Sequence, residues 1–144
     1  MLRIAICDDS QDDRLKLLGA LQSCMEQLKA EGSYLEFSSG QGLLSYMEKH
    51  TGELDLVFLD MEMGAMDGMT TARRIRSSCA QVQLVFVTAY AERVFEGYSV
   101  SALAYIMKPP SRSSCCKCWS AVCWLWTERR TKSFSAKAAT SAIA

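Results

Sequence analysis

Five short apolar runs separated by helical periodicity are what most constrain this chain. The first is Leu2-Arg3-Ile4-Ala5-Ile6-Cys7; the others cover 34–37, 55–60, 82–87 and 103–107. Continuous runs this short fit strands buried on both faces, as in a parallel sheet. Between the first two, Ser10 suits a helix N-cap, and Leu15, Leu18, Leu21, Met25 and Leu28 recur at helical spacing until Gly32-Ser33 breaks the pattern. A second helix is predicted over 43–50. A third starts at Asp67-Gly68 with Met69, Ala72 and Ile75 on one face, and a short fourth covers 91–99. A fifth is due after Pro109. Such alternation predicts a doubly wound α/β fold whose parallel strands are joined by right-handed crossovers.

The runs end in chemistry. The first leads into Asp8-Asp9, the third closes on Asp60, the fourth on Thr88-Ala89, and the fifth on Lys108-Pro109. In an open α/β sheet the carboxyl ends of the strands form the ligand crevice. Three carboxylates and one lysine therefore share an edge suited to a divalent cation and a phosphoryl group. A carboxylate nucleophile can accept phosphoryl as an acyl phosphate. Several anions must then approach one another, so a cation is required. Mg²⁺ favours oxygen ligands and takes one or two carboxylates beside phosphate oxygens. Lys108 offers phosphate a point charge and Thr88 a hydroxyl.

A length of 144 residues suits one domain with a real core, and 22% charged residues is ordinary for a soluble protein. No apolar run reaches a membrane-spanning length. The chain starts directly on a strand without a secretory signal, which predicts a cytoplasmic location, where the seven cysteines stay reduced. Cys7 and Cys24 read as small core residues, His50 as an exposed helix end, and Arg73, Arg74 and Arg76 as a solvated helix face.

Asp8-Asp9, Leu59-Asp60-Met61-Glu62-Met63, Met66-Asp67-Gly68, Val87-Thr88-Ala89 and Tyr105-Ile106-Met107-Lys108-Pro109 together resemble the receiver domain of two-component response regulators. The likeness covers residues 1–110, with its motifs in order. It implies a flavodoxin-like sheet in the order 2-1-3-4-5. It also implies Asp60 as phosphoacceptor for a sensor histidine kinase. Asp8, Asp9, Asp60 and the Glu62 backbone carbonyl would hold Mg²⁺; Thr88 and Lys108 would contact the phosphoryl group. Tyr105 would be an aromatic switch partnered with Thr88, and the Lys108–Pro109 peptide would be cis. Such a chain is a phosphoacceptor rather than an enzyme. The resemblance also implies the face of the fourth helix and fifth strand as the place for a homodimer contact. Phe86-Val87-Thr88-Ala89-Tyr90, Val94-Phe95-Glu96-Gly97-Tyr98 and Ala102-Leu103-Ala104-Tyr105 are similar to the subfamily with a LytTR-type DNA-binding output, and no such output domain is present in this sequence. Gly64-Ala65 stands where the family usually has Pro-Gly.

Two other classes compete. A small Mg²⁺-dependent phosphatase of the haloacid-dehalogenase kind also uses an Asp nucleophile, but places Asp-x-Asp after its first strand; here Asp8 and Asp9 are adjacent. A phosphorylation-independent interaction module would keep the fold without needing the Asp, Thr and Lys set.

Composition breaks near residue 110. Residues 1–110 hold ten Lys and Arg against fifteen Asp and Glu, whereas 111–144 hold six against Glu128 alone, with four Cys and all three Trp. Zinc fits poorly, because no His follows the cysteines. Cys and Trp codons both begin with TG. Shifting the frame by one base turns Cys116, Trp119 and Trp124 into Leu, and the other Cys and Trp of the tail into Leu, Val or Met. The expectation is an out-of-frame tail in place of the normal fifth helix. As written, Cys115, Cys116, Trp119, Val122, Cys123 and Trp126 lie at near-helical spacing. They predict a substitute fifth helix over 111–128 with imperfect packing, then a disordered basic tail over 129–144.

Overall fold

The computed structural model describes residues 2–78 and 81–120. Five parallel strands form one sheet in the order β2-β1-β3-β4-β5. They are β1 Leu2–Cys7, β2 Gly32–Phe37, β3 Leu56–Asp60, β4 Gln83–Thr88 and β5 Ala104–Met107. Helices α1 Gln11–Gln27, α2 Gly40–Lys49 and α3 Gly68–Ser77 follow the first three strands. A 3₁₀ helix, Ala91–Val100, joins β4 to β5, and residues 112–120 are helical.

Strand alternation divides the core in two. Ile4 and Ile6 of β1, Leu56 and Phe58 of β3, and Val85 and Val87 of β4 pack with Leu17, Leu21, Cys24 and Met25 of α1. Ala5 and Cys7, Val57 and Leu59, and Leu84 and Phe86 face the opposite way, onto Leu43 of α2 and Met69, Ala72 and Ile75 of α3. β3 is buried at every position, as a central strand covered on both faces must be.

The caps fix where the helices begin. Ser10 Oγ accepts from Asp13 N at 3.3 Å, and Asp67 Oδ1 accepts from Thr70 N at 2.8 Å. Both were legible as N-terminal signals. The α1 stripe was not. Leu15 is 53% exposed and Leu28 46%; the buried face is Leu17, Leu21, Cys24 and Met25. Gly32 and Ser33 are strand residues rather than a break, and the chain turns at Lys29, whose φ is 54°. Cys7 and Cys24 are core thiols, and His50 is the exposed C-cap of α2, stacked on Tyr46. Arg76 departs from a solvated role: its guanidinium donates to the carbonyls of Val82 and Val100, both at 2.7 Å.

Residues 112–120 supply helical cover on the α1 side, burying Cys115, Cys118 and Trp119, with Cys116 at the margin. The Trp119 indole N–H is buried without a hydrogen-bond partner among the described residues. A buried donor left without an acceptor costs the fold the desolvation of that group. The remainder of the substitute helix, including Val122, Cys123 and Trp126, and the tail 129–144 lie outside the described residues. No helix among those described is long and apolar enough to cross a membrane.

Candidate functional site

Register assembles the site before any side chain is placed. Cys7 pairs with Leu59, so Asp8 follows β1 beside Asp60. Asp60 pairs with Val87, and Thr88 pairs with Met107, the residue before Lys108. Four adjacent strand ends thus bring Asp8, Asp60, Thr88 and Lys108 to one edge. Lys108 N donates to Thr88 O at 2.8 Å, fixing β5 to β4 there, and the Lys108–Pro109 peptide is cis.

One carboxylate oxygen each from Asp8, Asp9 and Asp60 lies within 4.8 Å of the other two. Asp8 and Asp60 are buried; Asp9 is exposed and accepts from Gly64 N at 3.2 Å. An all-oxygen cluster of this size suits a hard divalent cation such as Mg²⁺. Asp8 is further set by Ser10 N on its Oδ1 at 2.9 Å and by Arg14, whose guanidinium donates to Asp8 O at 2.7 Å. The Gly64-Ala65 departure from the family pattern bears on this contact: the Gly64 N–H that donates to Asp9 is a donor that the family's usual proline lacks.

Asp60 is 3% exposed. Its Oδ1 accepts from Glu62 N at 3.2 Å and pairs with Lys108 Nζ at 3.3 Å; Oδ2 takes neither contact. Burial first, and the Asp8 charge second, push its carboxyl from 3.8 up to about 7, against the pull of Lys108 and the Glu62 amide. At Lys108 burial acts in the other sense. Burial would lower its pKa, but hydrogen bonds to Asp13 and Asp8 and the Asp60 charge outweigh burial and raise it. Lys108 is thus a firmly held cation. Burial, then Asp8 and Asp60, push the Cys7 thiol up to about 12, which keeps it an inert core group.

Thr88 is fully buried, and its hydroxyl accepts from Tyr90 N at 3.0 Å. Tyr105 is half-buried, its ring stacked on Phe86 with centroids 5.8 Å apart. Glu62 turns its carboxylate to Arg93 of the 3₁₀ helix at 3.0 Å; Arg93 also meets Asp67 at 3.7 Å and Glu96 at 2.7 Å. Asp13 and Arg93 were missed in the sequence. The doubled acid Asp12-Asp13 in the first turn after Asp8-Asp9 was the available signal for one; nothing local marked the other.

The chain has curated relatives in sequence and shares its fold with solved structures. A response regulatory protein of Vibrio cholerae is 39% identical over 55% of this chain and 31% of its own length. The transcriptional regulatory protein RprY of Bacteroides fragilis is 32% identical over 75% of this chain and 43% of its own length. NatR of Bacillus subtilis, also a transcriptional regulatory protein, is 29% identical over 76% and 44%. The chain spans less than half the length of these relatives. In fold it resembles the response regulatory domain of mrkE from Klebsiella pneumoniae, with a TM-score of 0.76 at 21% identity, covering 88% of this chain and 99% of that one. The family model for the response regulator receiver domain matches residues 4–118, which takes in every strand end described above and most of the helical segment 112–120. With sheet order, strand-end residues and family model in agreement, this chain belongs to the response regulator receiver domain family.

Proposed function

We propose that Asp60 is the phosphoacceptor of a Mg²⁺-dependent receiver that takes its phosphoryl group from a sensor histidine kinase. The convergence of Asp8, Asp9 and Asp60 with Lys108 on Asp60 Oδ1 carries this reading. A carboxylate oxygen of Asp60 attacks phosphorus as the bond from phosphorus to the donor breaks, leaving an acyl phosphate. Asp8, Asp9, Asp60 and the Glu62 carbonyl hold Mg²⁺, which supplies the positive charge that lets an anionic donor approach. Lys108 and the Thr88 hydroxyl meet the phosphoryl oxygens, and Thr88 and Tyr105 form the switch. Added charge at the strand edge biases the surface of the 3₁₀ helix and β5. Exposed Phe95, Tyr98 and Met107 there support a homodimer contact on that face.

In a complete cytoplasmic regulator of the LytTR type, that surface would control a DNA-binding output. Residues 1–110 form the receiver proper, and the helical segment 112–120 stands where the family's fifth helix would begin. The tail is read out of frame after a base lost near codon 110; a shifted frame without a long open continuation would refute that.

Incubation with Mg²⁺ and acetyl phosphate, followed by intact mass, tests the central claim. A stable gain of about 80 Da (one phosphoryl group) that Asp60→Ala abolishes is expected. Absence of any adduct favours a phosphorylation-independent interaction module. Sustained turnover of a generic phosphate ester favours a phosphatase.

A further inference from the structure

Lys108 is shared unequally. An ammonium has three N–H donors. Here they meet Asp8 Oδ2 at 2.9 Å, Asp13 Oδ2 at 2.9 Å and Asp60 Oδ1 at 3.3 Å. The two shorter contacts go to carboxylates other than the proposed phosphoacceptor. We propose that Asp13 is a positioning residue for phosphoryl transfer, whose carboxylate competes for Lys108 and holds it off Asp60. This rests on Asp60 as phosphoacceptor and Lys108 as its cationic partner.

Asp13 is well placed for such a restraint. It lies in the first turn of α1, with its backbone N–H fixed on the Ser10 hydroxyl. Its side chain is 33% exposed, whereas that of Asp60 is 3% exposed. Its charge is therefore stabilised by water as well as by Lys108, and it can release the ammonium at lower cost than a buried partner could. An arriving phosphoryl group must draw Lys108 from Asp13 before the lysine can serve it fully. Asp13 also adds negative charge where an anionic donor enters. Both effects slow phosphorylation. Asp12 provides an internal control: it carries the same charge in the same turn, is exposed, and makes no contact with Lys108.

Two measurements on the full chain test this. In metal-free protein, NMR of the lysine side-chain ammonium groups reads the restraint directly, with Lys108→Arg assigning the signal. A protected Lys108 signal is expected in wild type and Asp12→Asn, and its shift or loss in Asp13→Asn. With Mg²⁺ and acetyl phosphate, the rate of adduct formation by intact mass should rise about three- to tenfold in Asp13→Asn, the range for losing one charge-assisted contact at a partly exposed site. Asp12→Asn should stay within about twofold of wild type, as a screened surface charge does. A Lys108 signal unchanged in Asp13→Asn, or a rate at or below that of Asp12→Asn, overturns the proposal. Wild-type protein that takes no phosphoryl group refutes the phosphoacceptor reading, and Asp13's role with it. Wild type that does, with Asp13→Asn no faster than Asp12→Asn, refutes Asp13's role alone.

Discussion

Asp60→Asn should make the metal-free protein more stable, and the gain should grow with pH. Asp60 is buried, and its carboxyl is raised from 3.8 to about 7, by burial first and by Asp8 second. A raised carboxyl pKa means that the folded state holds the proton more tightly than the unfolded chain. Below about pH 4 both states are protonated, and ionisation contributes nothing. Between about pH 4 and 7 the unfolded chain ionises while the folded protein resists, so stability falls by up to ~1.4 kcal/mol per pH unit. Above the folded pKa the penalty is constant. The full shift sets a ceiling of roughly 4 kcal/mol. The pull of Lys108 at 3.3 Å is already included in that balance. Relaxation and water entry reduce the gain, and about 1–3 kcal/mol at pH 8 is the working expectation. Urea unfolding followed by circular dichroism in chelator at acidic, neutral and mildly alkaline pH measures it. Excess Mg²⁺ should narrow the gap, because wild type alone keeps the full oxygen set. An Asp60→Asn protein no more stable than wild type at pH 8, or a gain that shrinks as pH rises, would refute the reasoning.

Gly68→Ala should lower stability by about 2–4 kcal/mol in a thermal melt, because its Cβ would collide with the Asp60 carbonyl oxygen and lie 2.9 Å from Met61 Cα. Gly19→Ala, on the exposed face of α1 with nothing within 4 Å, should instead stabilise by about 0.5–1 kcal/mol. Trp119→Leu should change stability by less than about 1.5 kcal/mol, since lost ring burial is offset by removing an unpartnered indole N–H, whereas Trp119→Ala should cost about 3–5 kcal/mol.

What the sequence made legible follows a physical divide. The strands and their acidic ends could be read because a parallel strand is apolar at every position and its termini are abrupt: β3 is buried throughout and stops on Asp60. The α1 face could not, because Leu15, Leu17, Leu18, Leu21 and Leu28 support more than one stripe, and only packing against β1 and the 112–120 segment selects Leu17 and Leu21. Arg76 looked solvated because a long cationic side chain on a helix surface usually is; the carbonyls it reaches belong to residues before β4 and at the end of the 3₁₀ helix. The contact of Asp13 with Lys108 spans nearly the whole fold, and no local pattern encodes it. In the 112–120 segment the helical period found Cys115 and Trp119 but passed over Cys118, which is equally committed to the core.

Alternation along the strands also sorts the site by face. Asp8 continues the parity of Ile4 and Ile6, Asp60 that of Leu56 and Phe58, and Lys108 that of Ala104 and Ile106, all on the side of the sheet covered by α1. Thr88 continues the parity of Leu84 and Phe86, and Tyr105 packs with that same set, on the side covered by α2, α3 and the 3₁₀ helix. The carboxylates and the lysine thus share the α1 face, which is why a first-turn residue of α1, Asp13, reaches Lys108. The two residues proposed for switching share the other face, beside the 3₁₀ helix whose Arg93 grips Glu62. A one-residue slip of β3 would exchange Asp60 with Leu59 and bury a charge among the apolar residues of the opposite face. The cost of that burial makes the register that builds the core also the register that builds the site.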